Sequence, residues 1–169
     1  MKKFGFILFI LVLFVLLMYH ILWFANLNSY RKYEKRVGYS EKYNSYTIEE
    51  DGYVYSVFRP DYPDLTGNLS VSKQMVYGTE KEYDNISMII WPNYKGGFTV
   101  GIMISHEVLV TSDTSVEIVT DKSVNLEFDE KGRLLPECEQ YKEDYLANLE
   151  AIEELYERAE KMWNIKLPR

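Results

Sequence analysis

Imidazole and thiol groups, the usual carriers of nucleophilic and relay chemistry, are sparse in this chain, which has two histidines and one cysteine among 169 residues. His20 lies inside an uncharged apolar run, so any histidine-dependent catalysis has only His106 to use. The run Ser105-His106-Glu107, with Ser112 and Asp113 nearby, holds the residue types of a serine–histidine–acid relay. Such a relay needs side chains that converge in space, which adjacency along the chain does not supply. Neighbours on a strand point to opposite faces, so Ser105 and His106 are expected to diverge.

Carboxylates are plentiful, but no spacing marks an acid–base pair. Glu49-Glu50-Asp51 and Asp61-x-x-Asp64 offer oxygen ligands to a cation such as calcium, yet neither has the spacing of a calcium-binding loop. Both are expected to be solvated acidic loops. Gly96-Gly97 reads as a hairpin turn rather than a phosphate-cradling loop. Asn68-Leu-Ser and Asn85-Ile-Ser fit the N-glycosylation pattern, which matters only in a eukaryotic secretory protein. Cys138 stands alone, so no intrachain disulfide and no cysteine-based metal cluster is expected. The expectation is a non-enzymatic protein with no catalytic residues, no metal site and no cofactor.

What remains is contact chemistry. Exposed aromatic side chains on loops are candidate contact points for a partner protein or a carbohydrate. Tyr62, in the double-proline loop after residue 58, and Trp91, Tyr94 and Lys95, at a hairpin tip, are the candidate partner-binding residues. Tyrosine is frequent throughout, at 15 residues; it suits recognition surfaces and also ordinary sheet packing.

Two kinds of element must position these residues. Residues 4–25 contain no Lys, Arg, Asp or Glu. As a helix they would be ~33 Å long, about the hydrocarbon thickness of a bilayer. The run exceeds the apolar core of a secretory signal, and Trp23 before Ala25 is a poor match to a small-x-small cleavage site. An uncleaved single-pass signal-anchor is therefore expected. Tyr19 and Trp23 would sit at its interfacial end with Arg31, Lys32, Lys35 and Arg36 just beyond, and His20 would snorkel to the same interface. The three-residue basic tail, Lys2 and Lys3 with the free amine, resists translocation. The expected topology in the cell membrane is N-terminus inside and domain extracytoplasmic.

The second element type is the strand. After a basic, Tyr-rich stretch at 26–45, expected to extend the helix by a turn or two or to serve as a stalk until Gly38 interrupts it, short β-branched and aromatic runs take over. Alternation over 53–59 follows an Asp51-Gly52 turn, and Leu69 and Val71 mark the next strand. The stretch 77–84 reads as a connection. Runs 86–91 and 98–105 flank a turn-rich tip and form a hairpin, with Gly101 expected to mark a bulge or a close approach. Runs 107–111, 115–119 and 124–128 continue the cadence. Beyond Pro136, apolar residues at 138, 141, 145, 149, 152, 156, 159 and 163 recur at spacings of three and four, one helical stripe.

The expected fold is thus α+β: a single transmembrane helix, then an antiparallel sheet of five to seven strands packed against a long amphipathic C-terminal helix. The expected division is a basic tail at 1–3, anchor at 4–25, stalk at 26–45 and acidic domain at 46–169. The whole chain carries a net charge of −7. From Val37 onward it holds 13 basic and 25 acidic residues, net −12. Such a domain repels polyanions, so nucleic acid is not an expected partner.

These readings converge on a membrane-tethered binding module, of accessory or immunity type, acting on an unknown protein partner at the cell surface. The lipid bilayer is engaged through residues 4–25. The alternatives are a tethered hydrolase or glycan-active enzyme using acidic residues, and a small subunit of a larger membrane complex.

Overall fold

The structure is a computed structural model of the chain; it describes residues 2–63, 65–73, 82–93, 96–111 and 116–169. The architecture is α+β, an N-terminal apolar helix followed by a seven-stranded antiparallel sheet and C-terminal helices. Helix α1 runs unbroken over Lys2–Val37 and ends where Gly38 takes φ 73°. Strands β1 (Tyr39–Ser40), β2 (Ser45–Glu50), β3 (Tyr53–Phe58), β4 (Asn68–Lys73), β5 (Glu82–Pro92), β6 (Phe98–Thr111) and β7 (Val116–Phe128) pair in chain order as a meander. The Asp51-Gly52 turn joining β2 to β3 has φ of 52° and 79°, the left-handed pair that matches the twist of a tight hairpin.

The strands at the far edge are longer than expected. Runs 107–111 and 124–128 are the ends of two continuous strands, β6 and β7, which pair from Val100↔Phe128 to Thr111↔Val116. The polar stretches Ser105-His106 and Asp121-Lys122-Ser123 resemble turns in sequence. Their backbones nevertheless stay in the ladder, and a register shift after His106 absorbs the irregularity. β5 likewise begins at Glu82, inside the stretch read as a connection; residues 77–81 lie outside those described.

One sheet face is the core. Tyr53, Tyr55, Val57, Leu69, Val71, Met88, Ile90, Val100, Ile102 and Leu126 are all buried there, in two-residue alternation along each strand. The other face is more polar, with Ser56 paired to Ser70 and Ser72 to Ser87 across β3 to β5, beside Ile89 and Trp91. The C-terminal segment lies against the core as 3₁₀-helix η1 (Pro136–Tyr141), α2 (Lys142–Ala147) and α3 (Leu149–Trp163), divided at Asn148. The stripe read from the sequence holds across that division. Ile152, Tyr156, Ala159 and Trp163 are buried, joined by Leu155, while Leu149 is exposed. Trp163 closes the core, its ring edge-on to Tyr33 of α1 at 6.0 Å and to Tyr55 of β3 at 6.3 Å.

The inward positions of α1 are Tyr19, Trp23, Asn26, Leu27, Tyr30, Tyr33, Glu34 and Val37, each wholly or partly covered. Their spacing is that of a single helical face. The last three turns of α1 therefore belong to the domain, with Tyr30, Tyr33 and Val37 in its core.

Candidate functional site

The most organised contact outside the core is between α1 and the loop after β3, residues 59–67, of which all but 64 are described. Arg59 opens this loop with a two-pronged bond to the buried carboxylate of Glu34, Nε to Oε1 at 2.5 Å and Nη2 to Oε2 at 2.9 Å. Its guanidinium also lies 4.3 Å from the Tyr46 ring centroid. Burying a carboxylate is costly unless it is paired and bonded, and the planar fork of arginine meets both needs.

Below Arg59 three backbone carbonyls of the loop accept bonds from helix side chains. Trp23 Nε1 donates to Pro60 O at 3.3 Å, Tyr19 Oη donates to Tyr62 O, and Asn26 Nδ2 donates to Leu65 O. The Tyr62 ring sits between Tyr19, His20 and Trp23, at centroid separations of 5.3, 5.1 and 5.3 Å. Its hydroxyl is 3.2 Å from His20 Nε2. Gly67 makes the fold-over sterically feasible, since a Cβ there would stand 2.6 Å from Phe58 O and 2.8 Å from the Pro60 ring.

Tyr62, expected to meet a partner, is thus clamped to the helix through one side of its ring while remaining 41% exposed. Tyr19 and Trp23, expected at a lipid interface, are the residues that hold it. His20, expected to snorkel, has a partner within the chain. Of the basic residues expected beside the bilayer, Arg36 donates to Met162 O at 3.1 Å and Lys32 lies 4.6 Å from the Tyr33 ring centroid. Arg31 and Lys35 are exposed.

Trp91 belongs to a different region. It is half-buried on the polar face of the sheet, against Gly101, where a Cβ would meet the indole at 3.0 Å. Gly101 therefore marks a close approach. Beside Trp91 opens a hollow of about 460 Å³ lined also by Thr99, Glu127, Asp129, Glu130 and Leu135. The Arg133 side chain, then the backbone amides of Arg133 and Lys131, lower the Asp129 carboxyl to about 2. Asn93 Nδ2, at the β5–β6 tip, donates to Glu130 Oε1 in the turn after β7 at 3.2 Å. The structure thus brings Tyr62 and Trp91 to separate places; Tyr94 and Lys95 lie outside the described residues.

Among the described chemistry candidates, Ser105 and His106 diverge as expected, and Glu49 and Asp51 have partners; Asp64, Ser112 and Asp113 lie outside the described residues. Ser105 lies 3.5 Å from Ser123, hydroxyl to hydroxyl, while His106 Nδ1 is 2.9 Å from Asp84 Oδ1 in the adjoining, oppositely facing row. In the acidic turn, Lys42 and Tyr43 donate to Glu49, and Arg158 bonds Asp51 at 3.4 Å. The Arg158 guanidinium also covers the Tyr53 ring, whose hydroxyl is pushed up to about 12 by burial and by its bond to Glu154. Among the described residues no three His, Cys, Asp or Glu side chains gather as a metal site. Buried Cys138 accepts from the Glu127 backbone amide at 3.4 Å, and so ties η1 to β7.

The reading of the sequence missed Glu34, Arg59, Asn26 and Gly67. One signal was present: Glu34 is the sole acid in the otherwise basic run 31–36.

The molecule is therefore an α+β domain fused to a helix near the N-terminus that is long and apolar enough to cross a membrane. Compared with known proteins, the chain matches no family model, no curated protein and no solved structure.

Proposed function

We propose that this protein is a non-enzymatic binding module, of accessory or immunity type, held in the cell membrane by α1 with its domain on the extracytoplasmic side. The observation that carries the reading is the two-sided character of α1. From Gly5 to Met18 every side chain is exposed, while its last turns lie in the domain's core. An apolar helix left uncovered by its own fold is matched by lipid.

Length and composition alone fit either an anchor or a signal sequence. The clamp favours the anchor. Removal of the chain up to Ala25 would strip Tyr19, His20 and Trp23 from Tyr62 and leave the Pro60 and Tyr62 carbonyls without their donors. The partner surface in this reading is the Trp91 hollow. Its carboxylates and the domain's net negative charge suit a partner presenting basic side chains beside an apolar one.

Alkaline washing of membranes, with intact-mass measurement of the retained protein, tests the anchor; release into the wash, or a mass lacking the first residues, refutes it. Protease treatment of intact cells tests the sidedness, with digestion of the domain expected. Crosslinking from intact membranes, with and without Trp91→Ala, tests the partner surface; an unchanged set of crosslinked proteins would remove the hollow from consideration.

A second reading rests on the same hollow. An indole beside three carboxylates is also how a sugar ring is held, and a glycan-active enzyme needs two carboxyl groups there, one of them kept protonated. Asp129, already held ionised by Arg133, is unsuited to the protonated role. Turnover of a glycan that is abolished by Glu127→Gln would favour this reading over the binder.

A further inference from the structure

We propose that the domain does not hang from its anchor but rests on the bilayer, with Phe58 and Tyr62 seated among phospholipid headgroups as a second membrane contact. The inference builds on the anchor reading above and adds to it where the lipid surface meets the domain. Tyr19 and Trp23 lie six and two residues before Ala25, where the apolar run gives way to Asn26. At helical rise they are ~9 Å and ~3 Å inside the end of that run. Since their side chains bond the carbonyls of Tyr62 and Pro60, the loop is held beside the helix at the depth where the run passes through the interface. A span that reaches the bilayer surface at Ala25 carries the loop into the headgroup layer with it.

A second observation stands apart from the clamp. Outside α1, the exposed aromatic side chains of the described residues are Tyr39, Tyr43, Phe58 and Tyr62. The meander brings them to one end of the sheet. The β1–β2 turn carries Tyr43, and the loop after β3 opens beside it, because Tyr46 pairs with Val57 and Phe58 with Asn68. Phe58, at 52% exposure, is the last residue of β3 at that end. Tyrosine and tryptophan gather at headgroup level because one end of each ring system is apolar and the other bonds water.

Charge agrees with the placement. Exposed Arg31 and Lys35 follow on α1 about 9 Å and 15 Å beyond Ala25, where a lipid phosphate would meet them. The acidic Glu50-Asp51 turn is at the opposite end of the sheet. Exposed Asp61 keeps the loop at headgroup level and out of the hydrocarbon.

The test uses the full chain in vesicles of mixed phosphatidylcholine and phosphatidylglycerol. Single cysteines replace Phe58, Asp61, Glu50 and Leu11 in turn. Native Cys138 is buried, so the introduced thiol takes the fluorescent label. Lipids carrying a nitroxide near the headgroup are expected to quench the labels at 58 and 61 severalfold more than the label at 50. Lipids carrying it near the chain end should quench the label at 11. Quenching at 11, with 58 and 61 no different from 50, would overturn the seated domain and leave the anchor intact. An unquenched label at 11 would overturn the anchor and the seated domain together. Two positions at the contact, 58 and 61, guard against a single replacement that unseats the loop.

Discussion

The two halves of α1 share one backbone geometry and differ in everything else. From Gly5 to Met18 every described side chain is exposed; from Asn26 to Val37 a continuous stripe is covered, and Tyr30, Tyr33 and Val37 are in the core. The first half is apolar all round, so no face of it is better suited than another to a domain. The second half is polar on one side and aromatic on the other, so only one orientation on the sheet buries the rings and leaves Arg31, Lys32 and Lys35 exposed. The join between them is not a hinge. It is a single helix with side-chain clamps at Tyr19, Trp23, Asn26 and Glu34, over ~22 Å of its length. An apolar face without a matching surface in its own chain is left to a solvent of like polarity, whereas an amphipathic face specifies a neighbour.

The largest effect should come from the core end. Trp163→Ala removes the ring that joins Tyr33 of α1 to Tyr55 of β3 and is expected to cost about 3–5 kcal/mol. Urea unfolding in detergent micelles measures it. A loss of under about 1 kcal/mol would mean that the end of α1 is not part of the cooperative domain. Leu13→Arg addresses the other half. It should disfavour insertion by roughly 2.5–3.5 kcal/mol and move protein out of the membrane fraction. The domain's unfolding midpoint in detergent should stay where it was, since Leu13 touches no part of the core.

Between the halves, Arg59→Ala leaves Glu34 buried without its guanidinium, and about 2–3 kcal/mol should be lost. Arg59→Lys should recover only part of this, because an ammonium cannot reproduce the forked bond. Full recovery by lysine, in the same unfolding measurement, would show that only charge matters there.

The smallest effect lies far from α1, in the turn after β7. Asp129 is held near 2, below its ordinary value, chiefly by Arg133. The sign follows from the ionised form being the one favoured by folding. The turn's contribution is complete above the ordinary carboxylate range and is lost as pH falls through about 2. Carboxyl chemical shifts followed by NMR should show that midpoint, and Arg133→Ala should raise it. An unmoved midpoint would assign the shift to the backbone amides alone.

How far the fold was legible varies with the kind of signal. The meander, the Asp51-Gly52 turn and the C-terminal stripe were all readable, because alternation, turn chemistry and helical spacing are local patterns. The full lengths of β6 and β7 were not. His106 and Lys122 face each other across the ladder beyond the core, where polar residues on both strands imitate a turn. The site was less legible still. Tyr62 and Trp91 were found as aromatics, but that one is clamped to α1 and the other shelters against Gly101 depends on pairings 42 and 10 positions apart.

By itself the sequence determined that a helix free of charged residues over 4–25 lies near the N-terminus, that an acidic antiparallel domain follows, and that histidine and cysteine are few. Each of these depends only on residue type and short-range period. The tertiary structure alone decided that α1 continues into the core, that Glu34 is the counter-charge of Arg59, and that the loop holding Tyr62 folds back along the helix. At the end of the apolar run the inward positions Tyr19 and Trp23 are hidden because their neighbours are equally hydrophobic. A helical face becomes visible only when something packs against it, and the partner lies elsewhere in the chain.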